Sequence, residues 1–267
     1  MINQIKKNSR VISVLIKIRF QNLMMFRLGF FGPFFVDGSL FLIQLIVFQT
    51  IYLKIDRIGT WGRGEMVLYI GTFSMINAIN MFIYFFGVIG IPDKIKSGEM
   101  DLYLTKPISP LLRLTFEKIN PGSFPLIIMS AFIIAYGIDL VNIQITIEKI
   151  VAYVFWITVM SILFYELEVI IRSISFFVIS NSSITRIEEA GLELCMQLPG
   201  IAFYGVYKLI FCCILPYGIM ATIPVQSLVG DLNLTGAIYG VMVVVGFTVI
   251  TCLIWKRGIK NYNSASS

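Results

Sequence analysis

The chain has no histidine, and only 13% of its 267 residues are charged, against about 25% in an average soluble domain. The missing histidine removes the commonest general base, proton shuttle and metal ligand, so triad and metal chemistry lose their usual centre. The shortage of charge excludes an ordinary soluble fold, because a chain that is 57% hydrophobic has no polar skin to present to water. Its apolar surface must meet lipid. Cysteine is sparse as well: Cys195, Cys212, Cys213 and Cys252 show no metal-ligand spacing and are read as reduced thiols.

What is abundant is long uncharged sequence, as expected where about 20 residues must cross a hydrocarbon layer ~30 Å thick. Six spans are predicted: Gly29 to Leu53, Met66 to Ile91, Pro121 to Ile138, Ile150 to Ile179, a fifth within Leu209 to Pro224, and Leu232 to Trp255. With an even number of crossings both termini share a side. Counting basic residues in the connecting segments gives sixteen on the side of the termini and four on the other, which predicts cytoplasmic N- and C-termini. That asymmetry accounts for the net charge of +6 without nucleic acid as a partner. Residues 1–28 hold six basic groups and no acid. Lys6, Arg10, Ser13, Lys17 and Gln21 recur at helical spacing, so the segment is predicted to be an amphipathic helix on the inner face of the membrane, drawn to anionic lipid.

The segment 92–120 is too polar to span and too patterned for a loose linker. Two short helices are predicted. Ser97 caps the first, with Glu99 and Asp101 in its first turn, Lys106 in its last, and Pro107 ending it. Ser109 caps the second, which opens on Pro110 and carries Arg113 and Glu117 at pairing distance. Met100, Tyr103 and Leu104 share one face of the first helix, and either a partner's groove or the protein's own helix ends could cover it. Elsewhere, Trp61 in the loop IDRIGTWGRGEM is read as an interfacial aromatic anchor. Prolines and glycines from Leu198 to Gly230, Pro216 among them, predict a kinked or re-entrant region that could move.

Polar groups inside spans need a reason, since an acid at mid-bilayer costs about 2.5–3.5 kcal/mol on insertion scales. Asp37 faces a water path or a subunit interface, or else lies at the membrane surface. Glu166 and Glu168 fall near the cytoplasmic end of the fourth span, where Glu168 can pair with Arg172. Asn77 and Asn80 are read as inter-helix contacts in the second span.

The order of these features resembles the membrane subunit of type-2 ABC transporters, in a six-span branch of bacterial exporters. The most specific part is IKSGEMDLYLTKP, residues 95–107, which resembles the pattern I-x-x-G-E-hydrophobic-D-x-x-L-x-x-P through Gly98, Glu99, Asp101, Leu104 and Pro107. IGTWGRGEMVLYIG and the prolines at 199, 216 and 224 add to it, although Thr60 stands where the branch has glycine before the tryptophan. The resemblance implies an all-α integral membrane fold in two parts: the interfacial helix 1–28, and a six-span permease domain 29–267 whose coupling segment, 92–120, follows span 2. Gly98 to Lys106 would be the cytoplasmic coupling helix, with Gly98, Glu99, Met100, Asp101, Tyr103, Leu104 and Pro107 as the contacts to an ATP-binding subunit. Asp37, Asn77, Asn80, Glu166 and Pro216 become candidates for the translocation path or an interface. No G-x-x-x-x-G-K-[ST] occurs in the chain, so ATP and Mg would be held by a separate subunit. Two such subunits and a second permease, identical or related, are implied, in a bacterial plasma membrane. Two other classes compete with this one: a membrane enzyme using Glu166 and Glu168, and a non-transporting scaffold or immunity protein.

Overall fold

The computed structural model describes residues 11–14, 16–18, 21, 27–178 and 181–262, and no strand occurs among them. Most of the predicted interfacial helix lies outside these residues; 11–14 and 16–18 are helical. Helix α1 is Arg27–Ile51, and α2 is Arg63–Ile83, entered through Gly62, whose N–H donates to the Glu65 carboxylate at 3.1 Å. The short helices α3 (Phe85–Val88), α4 (Ile91–Lys96), α5 (Asp101–Leu104) and α6 (Pro110–Glu117) follow. After a 3-10 turn at Pro121–Ser123 come α7 (Phe124–Val141) and α8 (Ile147–Ser173), the second capped by the Thr146 hydroxyl. Then α9 is Ser182–Gln197, and α10 is Gly205–Leu209, which passes into a π-helical turn at Ile210–Ile214. The chain closes with α11 (Tyr217–Val229) and α12 (Leu234–Asn261), the latter capped by Asn233.

Four segments are long and apolar enough to cross a membrane: Arg63–Ile83, Pro121–Val141, Ile147–Phe176 and Leu234–Asn261. They match the predicted second, third, fourth and sixth spans. In α1 the continuous apolar stretch is Gly38–Ile51. The predicted fifth span is not a straight helix, because Gly205–Ile214 and Tyr217–Val229 meet at a bend of 85°. Pro216, buried at the N-cap of α11, lies at that bend, where a ring without an N–H interrupts the hydrogen-bond ladder.

Small residues set the central packing. A Cβ at Gly71 would lie 2.9 Å from the Ile134 backbone nitrogen, and one at Gly137 would lie 2.9 Å from that of Leu68. The absent side chains let α2 and α7 touch backbone to backbone, antiparallel. Helix α8 runs parallel to α2: the Thr72 and Tyr153 hydroxyls meet at 2.6 Å, and the Tyr84 and Tyr165 rings meet edge-on at 4.9 Å. Helix α12 runs the same way, with Gly240 against Trp156 and Gly258 against Phe176. Its exposed Val241, Val245, Val249 and Leu253 form a stripe along the outside, suited to lipid. The bundle therefore has two ends, one carrying Trp61 and the other carrying Tyr103.

Two predictions need correction. Trp61 is not an interfacial anchor. It is 1% exposed and packs on Tyr69 at a centroid distance of 5.9 Å, closing the Trp61 end of the core. The segment 172–199 is not confined to one end either. Helix α9 starts beside the last turn of α8, where the Asn181 amide donates to the Ile171 carbonyl at 3.5 Å. It ends at the other side of the bundle, where Tyr69 donates to the carbonyls of Cys195 and Leu198 and Gln44 donates to that of Met196. Arg186, Glu188, Glu189 and Glu193 break its hydropathy, so charge counting places it in water while its packing carries it along the bundle.

Candidate functional site

At the Tyr103 end, α4, α5 and α6 fold into a knob. Gly98 adopts φ +77°, a left-handed turn that a side chain would strain, and it separates α4 from α5. The predicted helix from Gly98 to Lys106 is consequently shorter, starting at Asp101 and stopping at Leu104. Ser97 ends α4 rather than capping α5, although its hydroxyl accepts from the Glu99 N–H at 3.4 Å. The second helix begins at Ser109 and Pro110, and Arg113 and Glu117 pair at 3.8 Å.

Tyr103 is the hub of the knob. Its ring lies between two cations, Lys94 Nζ at 4.7 Å and the Arg113 guanidinium at 4.6 Å. Its hydroxyl donates to the Glu117 carboxylate, 2.8 Å from either oxygen. Lys94 also reaches Glu117 at 3.5 Å and Glu99 at 3.7 Å. Burial pulls the Lys94 ammonium down, but Tyr103, Glu117 and Glu99 outweigh it and hold the pKa above its usual value. Burial pushes the Tyr103 hydroxyl up, and Glu117 adds to the rise against the opposing Lys94.

The residues predicted as one contact face divide between two surroundings. Met100 and Tyr103 point inward, in a cluster with Val88, Ile91, Leu114, Val169 of α8 and Trp255 of α12. Leu102 and Leu104 point outward, 62% and 37% exposed, beside exposed Glu99 and Pro107. Asp101 neighbours Tyr262, whose hydroxyl is raised first by burial and then by that carboxylate. Leu102 was missed from sequence because no pattern position marks it; its exposure follows from the inward turn of Met100 and Tyr103 on either side.

A second polar cluster joins α8, α9 and α11. Arg172 contacts Glu168 at 3.1 Å and Glu188 at 3.3 Å, and it donates to the Thr185 hydroxyl at 3.1 Å. Tyr217 donates to the other Glu188 oxygen at 2.6 Å. Glu168, Arg172 and Glu188 are each about as buried as the apolar core, 2% exposed. The predicted Glu168–Arg172 pair is present and is buried inside the bundle. Glu188 and Tyr217, distant in sequence from Arg172, carried no spacing signal. Glu166 turns away from Glu168 to accept from Thr248 of α12, so the two carboxylates share no site. Asn80 is buried with its carbonyl oxygen unpartnered among the described residues, Asn77 reaches only the Met81 sulfur at 3.9 Å, and the Asp37 side chain lies outside what is described.

A helical bundle with several membrane-length apolar helices and a charged helical knob at one end defines a multi-pass membrane protein. Residues 39–266 match the ABC-2 family transporter protein, and the chain belongs to that family, the permeases of type-2 ABC transporters. No curated protein and no solved structure matches the chain significantly.

Proposed function

We propose that the chain is the permease subunit of an ATP-driven exporter, forming half of a translocation path and driven by separate ATP-binding subunits. The observation that carries this reading is the Tyr103 knob. Its outer surface offers two leucines and a carboxylate to a partner, while its inner surface is keyed into the ends of α8 and α12. A partner that pulled on Leu102 and Leu104 would therefore move membrane-length helices. ATP and Mg belong to two copies of that partner. A second permease, identical or related, completes the path, since alternating access needs two halves that switch between packed arrangements.

In this reading the membrane is crossed six times: by α1, α2, α7, α8, α9 and α12. The fifth crossing moves from Leu209–Pro224 to α9, and the bent α10–α11 pair enters and leaves on the Trp61 side. Taking Arg172 and Arg186 out of the loops, and adding Lys208 at the Trp61 end, changes the basic count to fourteen against five. That bias supports a cytoplasmic knob and cytoplasmic termini, with the chain in a bacterial plasma membrane.

Co-purification tests the proposal. The wild-type chain is expected to bring down an ATP-hydrolysing subunit, and Leu102→Asp or Leu104→Asp to lose it while retaining membrane insertion. Replacing Glu99, Asp101 or Leu104 is expected to uncouple hydrolysis from transport. Retention of the subunit by both aspartate variants, or unchanged transport throughout, would refute it.

A further inference from the structure

Glu166 is a buried acid with no part in the knob or in the Arg172 cluster. It is 4% exposed, takes part in no ion pair among the described residues, and its Oε2 has no hydrogen-bond partner there. It lies ten residues before the end of the Ile147–Phe176 segment, about 15 Å at 1.5 Å per residue, and faces Thr248 at the middle of α12. Both positions fall well inside a ~30 Å hydrocarbon layer. Arg172, the nearest cation along α8, is taken by Glu168 and Glu188. The titratable groups that the neighbouring helices bring to this level are Tyr84 of α2, Tyr217 of α11 and Cys252 of α12, uncharged near neutral pH, and Glu188 of α9. On α8 itself, the Tyr165 hydroxyl pairs with Thr115 at 2.8 Å. No cation is therefore left to answer Glu166.

A hydroxyl has one proton to give. Thr248 touches Oε1 of Glu166 and stands 3.0 Å from the Val244 carbonyl, so it can donate to only one of them. With Glu166 ionised, it accepts from Thr248, the Val244 contact goes unused, and a full charge stays in lipid with Oε2 bare. With Glu166 protonated the order reverses: the acid donates to Thr248, Thr248 donates to Val244, and the group left in lipid is neutral. Burial without a counter-charge favours the second arrangement. We infer that Glu166 is a proton-binding site, carrying one proton in this packing of α8 and α12. Thr248 is exposed on the outside of the bundle, between the exposed Val245 and Val249, so the acid is one side chain away from the membrane interior. That opens it to a lipid-soluble carbodiimide. In that addition the O–H bond breaks, the carboxyl oxygen joins the central carbon, and the proton passes to a nitrogen. An oxygen-to-nitrogen acyl shift then leaves a stable N-acylurea, with nothing expelled. The inference goes beyond the permease reading and needs no partner subunit, so each stands if the other fails.

Two measurements at neutral pH test it. Dicyclohexylcarbodiimide is applied to native membranes holding the full chain, and the adduct is located by mass spectrometry. It is expected on Glu166, not on the ion-paired Glu168, and is expected to vanish in Glu166→Gln; a water-soluble carbodiimide is expected to leave Glu166 unmodified. The second measurement is the infrared spectrum of the full chain, purified with its associated subunits in dodecyl maltoside, which has no ester carbonyl. The wild type is expected to show the carbonyl stretch of a protonated carboxylic acid that Glu166→Gln lacks. Thr248→Val removes the acceptor, as a displaced α12 would, and the band is expected to persist and move, since the acid keeps its reason to be neutral. Thermal unfolding of Glu166→Gln at the wild-type midpoint separates a lost proton from a lost fold. A wild-type spectrum that matches Glu166→Gln in this region, or loss of the band in Thr248→Val, would overturn the proton site. An adduct on Glu168 as readily as on Glu166, or none on Glu166, would overturn its access from lipid.

Discussion

Replacing Tyr103 separates the two ways in which it holds the knob. In Tyr103→Phe the ring stays between Lys94 and Arg113, at 4.7 and 4.6 Å, but the hydroxyl donated to Glu117 is lost. Glu117 keeps Lys94 at 3.5 Å and Arg113 at 3.8 Å, so the loss falls at the lower end for a hydrogen bond to a charged group, about 1.5 kcal/mol. Tyr103→Ala also removes a buried ring and two cation–π contacts of about 0.5–1 kcal/mol each. With the cavity left behind, the total should reach about 3–5 kcal/mol. The assay is amide hydrogen exchange across 98–106, where local opening free energy sets the rate. Tyr103→Phe is expected to speed exchange about tenfold, since 1.4 kcal/mol is one decade, and Tyr103→Ala to bring the segment near the rate of an unfolded chain. Equal exchange in the two variants would refute the division between ring and hydroxyl. Wild-type exchange in Tyr103→Ala would refute the hub itself.

Three further outcomes are expected. Gly87→Ala should lower the midpoint of thermal unfolding, because its Cβ would stand 1.9 Å from the Leu114 carbonyl oxygen, whereas Gly246→Ala, with open space around it, should not; overpacking of this kind costs about 1–3 kcal/mol or more. Arg172→Met should destabilise by about 3–5 kcal/mol by stranding two buried carboxylates, and adding Glu168→Gln and Glu188→Gln should recover much of the loss, as measured by thermal unfolding of the wild type and both variants. The knob should loosen in alkali. Lys94 and Tyr103 both titrate above their usual values in the fold, so the stability they lend is complete below the unfolded pKa values near 10 and is lost as pH rises through the folded ones, seen as accelerated proteolysis at 97–107 with the rest of the chain resistant.

Legibility in the sequence followed the physics of each segment. The uncharged runs of α2, α7, α8 and α12 carry their own signal, because twenty apolar residues have few alternatives to a membrane. Ser109-Pro110 marked the start of α6, and the spacing of Arg113 to Glu117 and of Glu168 to Arg172 gave real pairs, since i, i+4 contacts depend only on local helix geometry. Trp61 was misread because an aromatic among glycines beside a span looks the same whether it faces the headgroups or folds back on Tyr69. Helix α9 was misplaced because its Arg186, Glu188, Glu189 and Glu193 answer to different surroundings: Glu188 is paired with Arg172 and hydrogen-bonded by Tyr217 across 16 and 29 residues, separations that no periodicity reveals.

The two clusters also explain why the knob is built into the chain rather than merely attached to it. Met100 and Tyr103 share one buried cluster with Val169 of α8 and Trp255 of α12, and α4 packs on α8 beside them. Three residues beyond Val169, Arg172 holds Glu188 of α9, and Glu188 in turn holds Tyr217 at the start of α11, next to the bend at Pro216. Apolar contact alone would let α8 slide on α9, because lipid tails compete with it on equal terms. A buried arginine shared by two carboxylates resists sliding, since any shift that breaks it leaves charge unpaired in a low dielectric. Under the proposed function, a displacement of the knob would reach α9 as movement of a clamped pair.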